Sequence, residues 1–469
     1  MATASNNKEV AGVEEMMEWM NLTVAETYCS GKPCLTLIAI FAILTKSIRH
    51  PRQNKNPNPR HLLFHRPAPM SLPAREPVSD PGPQRPWVIL GSIPLVSKAD
   101  NFLPGTDVFV GFADPPRVSI ASMPRRIAPD AHANIDNNNN YPYIVAVNDS
   151  TGRFLLHATQ GLSHEPAVVE RHDHIKLVHR GHAPAYFLCN AHTGAASRLP
   201  DPVGNPVLFP GNVGLIADPT TRADGGPHYV VAELQPMAGT AHATLLCYST
   251  ASGRWAEKEV LGYSPDHPPW GRDGVISFAG RLWWVDLSYG LLTCDPFARA
   301  PSLRHVPLPR GSVMAVAPRA GALDRQRCVR VSAGKLRYVQ LHGILPETQM
   351  VTMWTLDHQD DGESTTTNAA WKREYQATLS EIWADGSYKA TGMPKRAPVL
   401  AAVNPQNPRV VYFFLDAWIF AVDVPARRVL ECDVCQMVDP PVELFSSRFV
   451  HAWELPPSLC PDNAASSTD

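Results

Sequence analysis

Short apolar runs bounded by turn residues recur along the chain from about residue 85 onward. LWWV, YFLC, TLLC, VVYFF and WIFAV are continuous, without the alternation of a half-exposed strand. Runs of this length between glycine, asparagine and aspartate are typical of short strands buried on both faces. Trp283 and Trp284 sharpen this interpretation, because neighbouring side chains of a strand point to opposite faces. The pattern therefore predicts small sheets that are covered on both sides.

Hairpin units recur along the chain, each with a strand, a tight turn and a second strand. Their turns begin at similar residues. In three of them a polar residue ends one strand and glycine follows four positions later: Asn148 with Gly152, Asn190 with Gly194, and Ser249 with Gly253. In three others an aspartate occupies the polar position without the glycine: Asp295, Asp357 and Asp423. A repeat of this size is typical of propeller blades, each a small sheet packed between its neighbours.

A second kind of hairpin lies between these units. VISFAGRLWWVDL and VRVSAGKLRYVQL align around Gly280 and Gly334, where an Ala-Gly pair supplies the positive φ of a tight turn. Each unit then holds three or four antiparallel strands. We predict an all-β, β-propeller-like fold with five to seven blades, six being favoured, and burial of both Trp283 and Trp284.

The boundaries of this domain follow from composition. We predict an N-terminal extension over residues 1–69, mostly disordered or helical, a proline-rich linker over 70–86, the propeller over 87–455 and a disordered tail over 456–469. Polar loops are expected at 135–142, 219–228 and 358–370, and one helix at SEIWADGSYKATGM. Met70, within the linker, is our hypothesis for the natural start of the protein.

The apolar run at residues 34–44 raises the question of a membrane segment. It is shorter than the roughly 20 residues that span a bilayer, and glutamates precede it where a signal peptide needs positive charge. The basic residues that follow keep a membrane-tethered form open as an alternative. We expect no membrane partner.

Composition narrows the class of protein. The 469 residues are 44% hydrophobic and 18% charged, which argues against wholesale disorder. A net charge of -2 predicts no nucleic-acid partner. Nine cysteines are too few for a disulfide scaffold in a chain of this length, so we expect a reducing compartment, cytoplasmic or nuclear.

Two clusters of potential metal ligands do not complete a site. Cys432 and Cys435 form one C-x-x-C without the second pair that a structural zinc site needs. Four histidines crowd the segment RHDHIKLVHRGHAP without a carboxylate at matching spacing: His172, His174, His179 and His182. We predict no metal and no cofactor.

No sequence motif predicts catalysis. The chain has no G-x-S-x-G, P-loop or G-x-G-x-x-G. Asp286, Asp295 and Asp423 are candidate carboxylates for glycoside cleavage by strand position, but Asp295 and Asp423 stand where an aspartate caps its own turn. We therefore assign no catalytic residue and expect no enzymatic activity.

Several segments carry a resemblance to a known family. They are RPWVILGSIPLV (85–96), LPRGSVM (308–314), CVRVSAGKLRYVQLH (328–342), VTMWTLDH (351–358) and PVLAAVNPQNPRVVYFFLDAWIFAVDV. In them the chain resembles the domain of unknown function 1618 (DUF1618), a plant family abundant in grasses. The resemblance implies a propeller-like domain akin to F-box-associated domains, without an established activity and without site residues to carry over.

These observations lead to one expected function and two alternatives. We expect a non-enzymatic propeller that binds another protein through loops at one mouth of the ring. A carbohydrate-active or small-ligand-binding propeller is the first alternative, and it predicts an apolar central pocket with convergent carboxylates of raised pKa. The membrane-tethered form is the second. The pattern leaves the oligomeric state open.

Overall fold

The structure of the protein is a computed structural model, and it describes most of the chain from residue 85 onward. The described residues are 85–97, 102–103, 105–129, 141–162, 167–171, 174–178, 182–219, 226–237, 240–267, 270, 273–314, 322–357, 370–438 and 444–460. The predicted extension at 1–69, its apolar run, most of the linker and most residues of the three predicted loops lie outside these ranges. So do residues 461–469 of the predicted tail.

The first four strands belong to a sheet of mixed direction. They are β1 (Trp87–Gly91), β2 (Leu95–Ser97), β3 (Phe109–Gly111) and β4 (Val118–Pro124). β4 runs parallel to β1 and β2 and antiparallel to β3.

Five further sheets each have four antiparallel strands, and we call them blades 1 to 5. Blade 1 contains β5 (Tyr143–Asn148), β6 (Arg153–Leu162), β9 (His182–Asn190) and β10 (Ala196–Arg198), with a separate hairpin of β7 (Ala167–Arg171) and β8 (His174–Val178) between β6 and β9. Blade 2 contains β11 (Val213–Ala217), β12 (Tyr229–Pro236), β13 (Ala243–Ser249) and β14 (Arg254–Val260). Blade 3 contains β15 (Val275–Phe278), β16 (Arg281–Asp286), β17 (Gly290–Cys294) and β18 (Arg304–Pro307).

Blade 4 contains β19 (Arg327–Ser332), β20 (Lys335–His342), β21 (Met350–Asp357) and β22 (Ala370–Thr378). Blade 5 contains β23 (Val399–Val403), β24 (Val410–Leu415), β25 (Trp418–Asp423) and β26 (Arg428–Val434). The last strand, β27 (Val450–Glu454), pairs antiparallel with β1 and so joins the mixed sheet. Short 3₁₀ turns lie at Pro210–Asn212, Pro346–Thr348, Ser447–Phe449 and Pro457–Leu459.

The sheets form a ring. The innermost strands β5, β11, β15, β19, β23 and β27 lie against one another in this order, and β27 also contacts β5. The predicted all-β propeller is confirmed, with five regular blades. The sixth place in the ring, which our favoured count required, is filled by the mixed sheet that joins β27 to β1, rather than by a four-stranded antiparallel blade.

Both tryptophans of the LWWV run are buried, on opposite faces of blade 3. Trp283 is 1% exposed and belongs to a cluster with Val329 and Tyr338 of blade 4, whereas Trp284 is 0% exposed and packs on the blade 2 side. The Trp284 indole Nε1 also donates to the Asn212 carbonyl at 2.8 Å. The prediction of two-faced burial is confirmed.

The Ala-Gly turns have the predicted left-handed backbone. Ala279 and Gly280 have φ of 51° and 71°, and Ala333 and Gly334 have φ of 47° and 67°. Two successive residues with positive φ match the type of two-residue turn that closes a twisted hairpin. The alignment of these two hairpins in the sequence therefore reflects a shared turn geometry.

The predicted single helix is two short helices, α1 (Leu379–Ala384) and α2 (Gly386–Thr391). Asp385 separates them in an extended conformation, with φ of -66° and ψ of 147°, and accepts the Ser387 N–H as the N-cap of α2. An aspartate before glycine favours capping over helix continuation. Within the described ranges, no helix reaches the length and apolarity that crossing a membrane would require.

Candidate functional site

One end of the ring collects the long connections between blades. We call it the entry mouth, because the innermost strands begin there. Backbone contacts bring these starting points together: the Leu400 N–H donates to Arg325 O at 2.9 Å, and the Ser447 N–H donates to Asp324 O at 3.1 Å. The opposite end, where the innermost strands finish, is called the exit end. Residues at or just before the starts of β19, β23 and β27 therefore meet at the entry mouth.

Asp324, three residues before β19, is a buried carboxylate of this mouth. Its Oδ2 accepts the Ser446 hydroxyl at 2.9 Å and lies 3.3 Å from Arg448 Nε. The side chain is only 5% exposed, and among the described residues its Oδ1 has no hydrogen-bond partner. Burial raises the pKa of Asp324, and Arg448 opposes this shift.

Asp273, two residues before β15, is a second carboxylate of the mouth. Its Oδ2 accepts the Leu287 N–H at 2.8 Å. Burial raises the pKa of Asp273 to about 6, and the nearby carboxylates of Asp286 and Asp324 raise it further, against the Leu287 N–H and Arg448, which lower it. A carboxyl with this pKa changes its charge near neutral pH, as groups at functional sites often do.

Asp286, at the end of β16, completes the group. It is 2% exposed, and its Oδ1 accepts the Ser288 N–H at 2.8 Å and the Ser288 hydroxyl. Of the three aspartates singled out from the sequence, this one lies at the entry mouth. Asp286 belongs to the Leu287–Ser288 turn that also holds Asp273 in place.

Three arginines tie the connections of the mouth together. Arg327 Nη1 donates to Leu287 O and Ser312 O, both at 2.8 Å. Arg325 Nη1 donates to Phe445 O at 2.8 Å, and Arg330 Nη2 donates to Ser447 O at 2.6 Å. These guanidinium groups bind carbonyls of chain segments far away in sequence, so they fix the walls of the mouth.

His451 and Tyr143 link β27 to β5 at the same end. His451 Nε2 lies 2.9 Å from Ile144 O, and the Tyr143 hydroxyl donates to Arg448 O at 2.5 Å. Burial lowers the pKa of His451 to about 4, so this histidine is neutral at pH 7.

An exposed apolar surface lies beside the carboxylates. We call Val313, Ile344 and Leu345, which are 45%, 96% and 59% exposed, the apolar rim. The loop of Val313 contacts the Asp286 turn, because the Met314 N–H donates to Ser288 O at 2.8 Å. Ser312 in turn donates to Gln340 of β20, the strand that leads into Ile344 and Leu345.

A cavity of about 240 Å³ lies beside the mouth at blade 5. It is lined by Arg325, Arg396, Ala397, Val399, Phe414, Leu415, Asp416 and Phe445. Its single carboxylate, Asp416, is paired with Arg396. The carboxylates of raised pKa, Asp273 and Asp324, are therefore not among the residues that line this cavity.

The other residues that the sequence singled out lie elsewhere. Asp295 and Asp423 are at the exit end, where their carboxylates accept the N–H groups of Phe297 at 2.8 Å and Ala426 at 3.1 Å, as expected of turn caps. Cys432 contacts the Met393 sulfur at 3.8 Å, and burial raises the pKa of its thiol to about 11.

His172 and His179 lie outside the described residues. His174 and His182 stand on β8 and β9, but their side chains are not described. In the ranges listed above, no three residues of the His, Cys, Asp and Glu types are grouped to hold a metal ion.

Sequence reasoning missed Asp273, Asp324 and Arg448. Their common signal is position, since each lies two or three residues before an innermost strand. That signal becomes visible only once the innermost strand of each blade is known.

Comparison with known proteins gives a partial match to one family and similarity to solved structures at low sequence identity. A search of curated proteins found no match. Among solved structures, apo AztD from Citrobacter koseri is 13% identical over 63% of this chain and 71% of that one, with a TM-score of 0.25. A puromycin hydrolase S511A mutant complexed with PGG is 13% identical over 62% of this chain and 38% of that one, with a TM-score of 0.28.

A family model described as "Protein of unknown function (DUF1618)" matches residues 284–412. The match begins at Trp284 and ends at Tyr412, so it contains the Gly334 hairpin that carried the resemblance. The plant origin and the likeness to F-box-associated domains stay predictions. Residues 284–412 of this chain are therefore similar to the DUF1618 family.

Proposed function

We propose that this protein is a non-enzymatic propeller that binds another protein through its entry mouth. The observation that carries the proposal is the apolar rim. Ile344 is 96% exposed and its neighbour Leu345 is 59% exposed, on a loop whose base is buried. Exposed apolar side chains grouped on one surface are typical of partner-binding sites.

The loops that carry the rim have ordered supports. Gln349 Nε2 donates to Gly343 O at 3.3 Å across the base of the Ile344 loop, and Ser312 Oγ donates to Gln340 Oε1 at 2.9 Å. A preorganised surface loses less conformational entropy on binding than a flexible loop does. These contacts therefore favour recognition through the rim.

The test is affinity capture from cell extract with quantitative mass spectrometry. The variants are Ile344→Asp and Leu345→Asp, and the matched control is Leu430→Asp, on the outer strand β26, where Leu430 is 41% exposed. We expect a reproducible partner that both rim variants lose and the control retains. A partner retained by all three variants would contradict the proposal.

The second candidate function is a carbohydrate-active or small-ligand-binding propeller. Asp273, with a pKa of about 6, and the buried Asp324 favour it, because convergent carboxylates of raised pKa are found in active sites. Turnover of a panel of sugars or esters by the wild type, abolished in Asp273→Asn, together with no captured partner, would reverse the ranking.

Two further parts of the proposal concern location. We infer that the protein acts in the cytoplasm or nucleus, from its low cysteine content and its composition. A form tethered through residues 34–44 remains the alternative. Fractionation of the full chain beside a chain that starts at Met70 separates the two, since only the tethered form would change fraction when residues 1–69 are removed.

A further inference from the structure

The surroundings of Asp273 carry an excess of negative charge. The charged groups that influence its titration are Asp286, Asp324 and Arg448. Arg325 also lowers the pKa of Asp324, so among the described residues three carboxylates face the guanidinium groups of Arg448 and Arg325. The Arg448 guanidinium lies against Asp324 Oδ2, so it compensates one carboxylate of the three directly. The negative charge of this part of the mouth favours binding of a positively charged group.

Among the described residues, one buried carboxylate oxygen of the mouth has no hydrogen-bond donor. Asp324 Oδ2 accepts the Ser446 hydroxyl and forms an ion pair with Arg448 Nε at 3.3 Å, whereas its buried Oδ1 has no hydrogen-bond partner among the described residues. A buried acceptor without a donor is costly, and most such atoms in native proteins have a partner. A ligand that brings N–H groups would supply the missing donor.

The remaining nearby cations are engaged with the backbone. Arg327, Arg325 and Arg330 donate to carbonyls of Leu287, Phe445 and Ser447, which hold the mouth in shape. Arg327 is itself 8% exposed. None of the three is among the groups that influence the titration of Asp273.

The carboxylates and the apolar rim share one support. The Leu287–Ser288 turn donates to Asp273, contains the cap of Asp286, and accepts the Met314 N–H next to Val313. A bound chain that reaches Asp273 would therefore also lie beside Val313. The entry mouth therefore has negatively charged side chains within it and exposed apolar side chains at its edge.

We propose that the entry mouth takes a basic side chain of a protein partner, an ammonium or guanidinium group, between Asp273 and Asp324, with apolar residues of the same segment on the rim. This inference rests on the proposed function and adds the chemistry of the partner. Lysine and arginine bring the donors that Asp324 Oδ1 lacks, and their long aliphatic stems pack on apolar surface.

The probe is a set of four peptide libraries measured by fluorescence anisotropy against the full chain. One central position is lysine, arginine, norleucine or glutamate, and the flanking positions are drawn from apolar residues. We expect the lysine and arginine libraries to bind about tenfold more tightly than norleucine, a typical effect of one charge pair in a partly buried site.

The variants Asp273→Asn and Asp324→Asn should reduce the ratio of lysine to norleucine affinity towards one. The matched control Asp357→Asn removes one charge at the exit end, and we expect it to keep the ratio. Asp273 is partly exposed, so its variant remains informative if Asp324→Asn does not fold. Preference for norleucine or glutamate, an unchanged ratio in Asp273→Asn, or no binding of any library would overturn the inference.

The pH dependence gives a second readout. Because the pKa of Asp273 is about 6, its charge is lost as the pH falls through 6, and the preference for lysine should weaken between pH 7.5 and pH 5. Failure here is distinguishable from failure of the proposed function. A partner whose capture depends on Ile344 would keep that proposal, even if the peptide data exclude a basic side chain.

Discussion

The two ends of the ring are built by different rules. At the exit end, tight hairpins are closed by side chains that bond within three residues: Asn148 Oδ1 accepts Thr151 Oγ1 at 2.7 Å, and Asn190 Oδ1 accepts the His192 N–H at 2.9 Å. At the entry mouth, the contacts join residues far apart, 122 positions for Ser446 and Asp324 and 305 for Tyr143 and Arg448. The exit-end turns are closed by local contacts, although the Trp453 indole also donates to Asn148 O there from 305 positions away. The entry mouth adds long-range contacts to local ones such as that of Ser288 with Asp286.

The exit end also contains two interacting carboxylates. Burial raises the pKa of Asp149 to about 7, and the nearby Glu454 raises it as well. Here, however, two carboxylates meet at the ends of β5 and β27, without the apolar rim that adjoins the carboxylates of the entry mouth. The entry mouth therefore differs from the exit end in combining charge, a buried acceptor that has no donor among the described residues, and an exposed apolar surface.

The largest expected loss of stability follows from replacing the buried tryptophans of blade 3. Trp283→Ala and Trp284→Ala should each lower the free energy of unfolding by about 3–5 kcal/mol, because each leaves a cavity between different blades. Chemical denaturation measures the change. A large cost for only one of them would contradict burial of both faces of blade 3.

A smaller effect is expected at the support of an entry-side connection. Glu233 is 1% exposed, and its carboxylate accepts the N–H groups of Leu208 and Phe209, at 2.8 Å and 2.6 Å respectively at closest. Glu233→Ala leaves these buried donors unpaired and should cost about 1–3 kcal/mol. Hydrogen exchange should show faster exchange of the amides of Leu208 and Phe209.

The exit-side turns should respond more weakly to substitution. Gly280→Ala and Gly334→Ala place a side chain at positive φ where no atom lies within 4 Å, so only backbone strain of about 1–2 kcal/mol is added. Gly386→Ala, at the start of α2 and also without a neighbour within 4 Å, is the matched control and should not destabilise the protein. Thermal denaturation compares the three variants, and equal losses would exclude the turn geometry as the cause.

The smallest effect is expected from pH, because two groups of the entry mouth oppose each other. His451 has a lowered pKa of about 4, so the unfolded chain binds its proton first and stability falls as the pH drops from about 6.5 towards 4. Asp273 has a raised pKa of about 6, so the folded chain binds its proton first and stability rises over the same window.

The variants separate the two contributions. Asp273→Asn should make the loss of stability between pH 7 and pH 5 steeper than in the wild type, and His451→Gln should make it shallower. Urea denaturation at each pH measures both slopes. Slopes of the opposite sign would show that neither group titrates as its burial predicts.

The fold was accessible from the sequence because its signals are local. The turn residues, the Ala-Gly pairs and the LWWV run each act within a few positions, so Gly280, Gly334 and the tryptophans were predicted correctly. The helix prediction was wrong at Asp385, whose side chain caps a second helix, and at Gly392 and Met393, which lie beyond the end of that helix. The mixed sheet was missed because the pairing of β1 with β27 joins the two ends of the propeller, which no local pattern records.

The candidate site was only partly accessible. Asp286 could be named from its place at a strand end, but Asp273 and Asp324 lie in connections without a distinctive motif. The sequence by itself determined strands that must be covered on both faces, since apolar residues on both sides of a strand have to be removed from water. Only the closed ring decided which carboxylates meet, because convergence depends on the relative placement of blades 3 and 4 and β27, and burial in that arrangement is what shifts their pKa values.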